Sequence, residues 1–366
     1  MKVFINKDHV ESLKEILDVE KTGNILLVTG DKSFKDTGLA RMQDQLFTDR
    51  KVISLKGPGE SPDYEFVLDA LEKAEGLDAG LIVAMGGGST MDFAKILTIY
   101  MNNKHVFEKD MANYKSLKAA APIAAIPTTA GSGSEATQFA VMYKDGEKFS
   151  VASQEILPSY VILDPVLTHS LPPFITACSG IDAISQAIES LWALDANDTS
   201  RKYAMQALQH LYPNIRNVVL NPSPGNRKQM LIGAYFAGKA INISKTTGPH
   251  ALSYYLTAHH GLQHGEAVAM NMEMFIDLNY QYLDDEIQGF LESLFGADGK
   301  HTIMKAFSEL KAEIGLRQSI KDVGITSETD IRTYFQSADR DRLANSPGEL
   351  NPEKLLAYYL DQGKSV

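Results

Sequence analysis

AGLIVAMGGGSTMDFAKILTIYM, residues 79–101, decides the fold. Its first part is an apolar run without polar alternation, the pattern of a strand buried on both faces. The run ends in three glycines, and MDFAKILTIYM (91–101) continues as a helix that opens at about Ser89. A strand passing through a glycine turn into a helix is one unit of a parallel, doubly wound sheet. The turn also carries chemistry. Without side chains, the backbone N–H groups of Gly86, Gly87, Gly88 and Ser89 can approach a phosphate closely, and the helix N-terminus adds a favourable dipole. The spacing is not G-x-G-x-x-G, so this is not the usual dinucleotide fingerprint. The structural alternative is a tight strand-to-helix turn.

Similar units flank this one. NILLVTG (24–30) and KVISL (51–55) read as strands, and PDYEFVLDALEKAEGL (62–77) has helical spacing. APIAAIPTTAGSGSEAT (121–137) is a further strand running into a loop of small residues. That loop offers hydroxyls at Thr128, Thr129 and Ser132 and backbone freedom at Gly131 and Gly133, enough to wrap a nucleotide or simply to cross a surface. After Asp164-Pro165 strand-like runs cease. Segments 172–220, 226–243, 264–295, 302–314 and 352–362 all read as helices. The chain is therefore expected to form an α/β domain over 1–166, with a parallel doubly wound sheet, and an all-α domain over 167–366.

Bulk properties narrow the function. The 366 residues suffice for two cores. A net charge of −11 disfavours nucleic acid, which needs a basic face, and anionic membranes. An anionic ligand would have to be drawn in by local groups. With one cysteine, Cys178, neither an internal disulfide nor a thiolate metal cluster forms. There is no run of about 18 apolar residues and no signal-peptide pattern at the start, so a cytoplasmic enzyme with no membrane span is expected.

The second half carries two suggestive stretches. In GIDAISQAIES (180–190), Asp182 and Gln186 are four residues apart and share a helix face, from which both can reach one ion. Alternatively, Asp182 caps a helix that starts nearby. GPHALSYYLTAHHGLQHG (248–265) holds four of the nine histidines. His250 opens one helical run and His264 opens the next, so the two imidazoles can converge. With Asp182 they would give a mixed nitrogen and oxygen set suited to zinc or ferrous iron. His260 and His264, also four apart, form a rival pair, and His259 and His260 otherwise read as exposed.

GGGSTMDFAK, PTTAGSGSEAT, the LDP triplet at 163–165, GIDAISQAIE and PHA…HGEAVA together resemble the iron-containing (group III) alcohol dehydrogenases, of dehydroquinate-synthase-like fold. The motifs follow that family's order and spacing from about residue 24 to 275. The resemblance implies an N-terminal domain that binds NAD or NADP and a helical domain that binds one divalent metal ion, Fe2+ or Zn2+. It implies that Gly86 to Ser89 hold the pyrophosphate, that Thr128, Thr129, Ser132 and Asp92 lie around the cofactor, and that Lys148 stands near the active-site cleft. Asp182, His250 and His264 match three of the family's four metal positions. A homodimer or larger homo-oligomer acting on a small molecule is also implied.

Three departures stand out. Gln186 occupies a position usually held by histidine. Tyr254 replaces the second histidine of HxxxH, so Tyr254 or His260 would take over its proton-transfer role. At the end of the first strand, Gly30 and Asp31 stand where NAD-selective members carry the aspartate of VTD, which leaves NADP open. In addition, Lys245, Thr246 and Thr247 precede His250 as a cluster of donors. Lys245 is expected to hold a phosphonate or carboxylate of the substrate. With Gln186, this resembles the branch of phosphonoacetaldehyde reductases and 3-deoxy-octulosonate 8-oxidases. The expected reaction interconverts a small, anionic primary alcohol and its aldehyde. The alternatives are a lyase of the dehydroquinate-synthase kind and a member that binds nucleotide without catalysis.

Overall fold

A computed structural model describes residues 1–30, 46–59 and 61–361. The chain divides into two compact units, Met1–Leu171 and Pro172–Val366.

In the first unit, β1 (Lys2–Ile5) leads to α1 (His9–Glu20), β2 (Asn24–Thr29), β3 (Lys51–Lys56), α2 (Tyr64–Lys73), β4 (Leu81–Gly86), α3 (Gly88–Tyr100), α4 (Lys104–Asp110) and β5 (Ile123–Pro127). The hairpin β6 (Phe139–Lys144) and β7 (Glu147–Ala152) follows, then β8 (Tyr160–Leu163). Six strands form one sheet in the order β1-β8-β5-β4-β2-β3, with every pairing parallel. Alternate residues feed two cores. Leu26, Val28, Ile82 and Ala84 enter one, while Ile25, Leu27, Leu81, Val83 and Met85 enter the other. This two-sided burial is why the strands read as unbroken apolar runs.

The parallel register fixes where the loops emerge. Gly86 lies opposite Pro127, and Thr29 lies opposite Met85. The glycine turn, the small-residue loop and Gly30 therefore leave the sheet at the same edge, beyond the carboxyl ends of β4, β5 and β2. In open α/β sheets this is where ligands bind.

The second unit is helical, and among the described residues no strand follows β8. It comprises α5 (Pro173–Trp192), α6 (Asp198–Leu220), α7 (Pro224–Ser244), α8 (Gly248–His260), α9 (His264–Ala269), α10 (Met272–Asn279), α11 (Asp285–Phe295), α12 (Lys300–Glu313), α13 (Glu328–Gln336), α14 (Arg340–Ala344) and α15 (Pro352–Asp361). Two expected helices are broken. The stretch 172–220 splits after Trp192 because Asn197 and Ser200 form a capping box that starts a new helix. The stretch 264–295 contains three helices, the last begun by Asp284, whose carboxylate accepts from Ile287 N at 2.9 Å.

Candidate functional site

In the glycine turn of the first unit, Gly86 and Gly88 are explained by close approach. A Cβ on Gly86 would meet Thr90 Oγ1 at 2.5 Å, and one on Gly88 would meet Ser132 Oγ at 2.7 Å. The turn can therefore fold onto its own helix and against the 128–134 loop only without side chains. Gly87 is the N-cap of α3 and supplies no side-chain cap, so the first amides of that helix lack side-chain acceptors. Thr128 N donates to Gly86 O at 2.9 Å, and Gly30 N donates to Met85 O at 2.9 Å, tying three loops together. Ser89 Oγ lies 3.5 Å from Pro58 O. The result is a cradle of backbone amides and hydroxyls suited to a phosphate-bearing ligand. Asp31 lies outside the described residues.

Behind the cradle stands a charged scaffold that sequence reasoning did not anticipate. Lys95 is buried, and its ammonium shares its three N–H donors among Ser134 O, Ser134 Oγ, Thr137 Oγ1 and Phe139 O, at 2.5, 2.9, 3.1 and 2.9 Å. Burial lowers its pKa to about 8, against the pull of Asp92 and Glu135. Asp92 accepts from Ser134 Oγ at 2.7 Å and from Val141 N at 3.0 Å, so its carboxylate braces the loop from within. Burial raises its pKa despite Lys95. Lys148, on β7, adds its charge to the field at Asp92. The buried carboxyl of Glu135 is pushed up to about 7 by desolvation.

The second unit gathers Asp182, His250 and His264, with one ligand atom of each within 4.8 Å of the others. Asp182 lies nine residues inside α5, so it is not a helix cap. His264 opens α9, and this helix reaches Asp182 because residue 265 is glycine. A Cβ there would lie 1.9 Å from Cys178 O and 2.8 Å from Asp182 Cβ. Asp182 Oδ1 lies 3.3 Å from His250 Nε2 and 4.0 Å from His264 Nε2. His264 keeps 41% of its side chain exposed, whereas Asp182 and His250 are buried. Gln186 Nε2 donates to Asp182 Oδ2 at 3.2 Å.

Glu189 is the residue the sequence reading missed. Fully buried on the same face of α5 as Asp182 and Gln186, it accepts from His250 Nδ1. Its other oxygen accepts from Thr247 N and Thr247 Oγ1, at 2.8 and 2.9 Å. The run of Asp182, Gln186 and Glu189 at helical spacing in an apolar segment was the available signal. Burial would lower the pKa of His250, but Glu189 and Asp182 overcome it and push it up to about 10. Burial likewise opposes ionisation of Asp182, yet the adjacent His250 and the charges of both histidines hold it below the usual carboxylate range.

The donor set fits a divalent cation. Among the described residues Asp182 Oδ1 and His250 Nε2 are buried without a hydrogen-bond partner, although they face each other. Such atoms are costly to leave unsatisfied. With Nδ1 of His250 held by Glu189, its Nε2 is directed at the cluster, the usual arrangement of a carboxylate behind a metal-bound histidine.

The remaining expectations fare differently. Tyr254 stacks on His264, with centroids 6.0 Å apart and planes 19° apart. His260 is not part of the cluster. It lies at the end of α8 against Tyr255, as does the exposed His259. Lys245 ends α7 at φ 57° and its ammonium pairs with Asp195 at 2.7 Å, with 60% of the side chain exposed. Thr247 accepts from Trp192 Nε1 at 3.0 Å besides bonding Glu189, and Thr246 Oγ1 accepts from Arg342 Nη1. The donors expected to meet substrate at 245–247 are therefore engaged within the protein, because the helix end turns Lys245 outward and the two threonines anchor α8.

Comparison with known proteins gives a consistent result. A family model described as iron-containing alcohol dehydrogenase matches residues 1–165, and one described as Fe-containing alcohol dehydrogenase family, C-terminal, matches residues 176–362. The chain is 31% identical over 284 residues to the probable alcohol dehydrogenase EutG of Escherichia coli K12, covering 76% of this chain and 71% of that one. It is 26% identical over 310 residues to the sulfoacetaldehyde reductase of Bilophila wadsworthia, covering 81% and 80%. The solved structure of the sulfoacetaldehyde reductase of Bifidobacterium kashiwanohense, in complex with NAD+, superposes with a TM-score of 0.88 at 30% identity, covering 98% and 96%.

Proposed function

The chain belongs to the iron-containing alcohol dehydrogenase family, and on that premise we propose that it is a metal-dependent, NAD(P)(H)-linked enzyme reducing a small anionic aldehyde to its primary alcohol, or the reverse. The observation that carries this reading is the convergence of Asp182, His250 and His264, with two buried ligand atoms facing each other and lacking hydrogen-bond partners. The sulfoacetaldehyde reductases among the relatives supply the support for an anionic substrate.

Each part of the chain has a defined task. The amides of Gly87 to Ser89 and the α3 N-terminus hold the cofactor pyrophosphate, with Thr128, Thr129 and Ser132 beside it. Asp182, His250 and His264 would hold one divalent ion, iron or zinc, with Gln186 steadying Asp182. Such an ion would supply Lewis-acid chemistry toward the substrate oxygen. A bound nicotinamide would supply hydride chemistry, leaving this chain's own residues to exchange one proton at the substrate oxygen. Glu189 keeps His250 in a single tautomer and orientation. Tyr254, stacked on His264, is the group beside the cluster able to pass that proton. The enzyme works as a cytoplasmic homodimer or larger homo-oligomer. No described helix is long and apolar enough to cross a membrane.

The test is nicotinamide oxidation by zinc- or iron-loaded protein with sulfoacetaldehyde and, separately, with propanal. Stoichiometric oxidation with the sulfonate, lost on chelation and restored by metal, is expected. No oxidation with either aldehyde by metal-loaded protein would overturn the reading.

A further inference from the structure

An anionic substrate needs a cation near the reacting centre, and the one that sequence suggested is already paired in the structure. Lys245 is committed to Asp195 at the surface. Asp182 and Glu189 are acids, and a divalent ion among them leaves that neighbourhood close to neutral. In a protein of net charge −11, such a site repels an acid unless a fixed positive group stands beside it.

A second cation does stand there. Arg342 lies on α14, 78 positions beyond His264 in the chain, and its guanidinium carbon sits 5.6 Å from the Tyr254 ring centroid. Tyr254 stacks on His264, and His264 meets His250 with centroids 5.3 Å apart. A short series of rings therefore connects the cluster to the guanidinium. The group is held firmly. Nη1 donates to Thr246 Oγ1, and Nε lies 3.4 Å from Asp339 Oδ2. Asn345, just after α14, donates from Nδ2 to Ser244 O at 2.8 Å and to Thr246 O at 3.1 Å, docking α14 on the segment that leads into His250. About a quarter of the Arg342 side chain, 27%, stays exposed. Burial disfavours its charge, but Tyr254 and Asp339 outweigh that and raise its pKa.

We infer that Arg342 is the anion receptor of the active site, binding the acidic group of a short substrate whose carbonyl or hydroxyl lies at the Asp182–His250–His264 cluster. This rests on the reading of the reaction given above and adds the residue that sets substrate class. A guanidinium matches the geometry of sulfonate, phosphonate or carboxylate oxygens, and its ring contact and its bond to Thr246 keep it oriented before substrate arrives. Asp339 tempers that charge, so the pair also limits how strongly the anionic product is retained.

The experiment compares wild type, Arg342→Gln and Asp339→Asn in two measurements. The first is kcat/KM for sulfoacetaldehyde and for propanal with metal-loaded enzyme. The second is binding of 2-hydroxyethanesulfonate by calorimetry, which needs no turnover. Arg342→Gln should lower kcat/KM for the sulfonate by roughly 10- to 100-fold more than for propanal, chiefly through KM, and weaken sulfonate binding by a similar factor. Asp339→Asn keeps an oxygen to cap α14 and should tighten sulfonate binding several-fold. A loss shared equally by both aldehydes, or sulfonate binding unaltered in both variants, would overturn the role of Arg342. If wild type reduces neither aldehyde, the reading of the reaction fails, while the binding measurement still decides whether Arg342 receives the anion. If Arg342→Gln does not fold, the Asp339→Asn result decides the question.

Discussion

Glu189 and His250 meet at the base of the cluster, carboxylate to Nδ1, with both side chains buried. The second Glu189 oxygen takes the backbone N–H and the hydroxyl of Thr247, so one carboxylate orients the histidine and anchors the start of its helix. Glu189→Gln can still meet one of these partners but no longer carries the charge behind His250. Zinc affinity should fall by about 10- to 100-fold, measured by competition with a chromogenic chelator. Affinity unchanged in a folded variant would mean that Glu189 serves only to anchor the helix.

His264 and Gln186 should respond in opposite directions. His264→Ala removes one of three converging donors, and bound metal and activity should disappear together. Gln186→His replaces a weak amide donor with an imidazole on the same helix face, and zinc should survive chelator challenge longer than in wild type. Full metal content and full activity in His264→Ala would exclude the site. Faster zinc loss from Gln186→His would show that the amide bond to Asp182 matters more than an added donor.

The glycine turn makes a steric prediction. Gly88→Ala places a methyl where Ser132 Oγ lies at 2.7 Å, which should cost about 1–3 kcal/mol and raise the KM for nicotinamide cofactor. Ser132→Ala in the same chain clears the oxygen and should recover part of the loss. If the double variant is no better than the single one, the glycine is required by the ligand's approach and not by Ser132.

Glu135 gives the first unit a pH signature. Its buried carboxyl titrates near 7, above the ordinary value of 4.5, because burial disfavours the anion. The native state therefore holds this proton more tightly than the unfolded chain. The stabilisation is fully present below about pH 4.5 and is lost as pH rises through about 7. The change is on the order of 3 kcal/mol, at ~1.4 kcal/mol for each tenfold change in proton affinity. Thermal melts at pH 5 and pH 8 should show wild type losing ground relative to Glu135→Gln. Parallel behaviour of the two would exclude a buried titrating carboxyl at this position.

The sheet was legible because its strands are buried on both faces and so read as apolar runs, as in NILLVTG and LIVAMG. The β6–β7 hairpin was overlooked although Asp145-Gly146 marks it. Both residues adopt positive φ, 54° and 80°, as a two-residue hairpin turn requires. The break after Trp192 was hidden because apolar spacing continues through it, and only the Asn197 cap signals a new start. At the cluster, helical spacing relates Asp182 to Gln186 and would have extended to Glu189. No local pattern links Arg342 to Tyr254, 88 positions earlier, since that contact exists only through tertiary packing. Lys245 is close to His250 in sequence, but it sits at a turn of φ 57° and its ammonium pairs with Asp195, a partner that spacing does not indicate.

The pairing of His250 with two carboxylates also bears on how the protein matures. His250 stands between Asp182 and Glu189, and the two carboxylates favour its imidazolium form. Metal binding at this pocket should therefore release one proton from His250, a change that a pH indicator in weak buffer would register. Stripping the ion should accordingly yield a folded apoprotein that can be recharged, and metal supply would govern how much of the cell's stock of this enzyme is active, not how much of it survives.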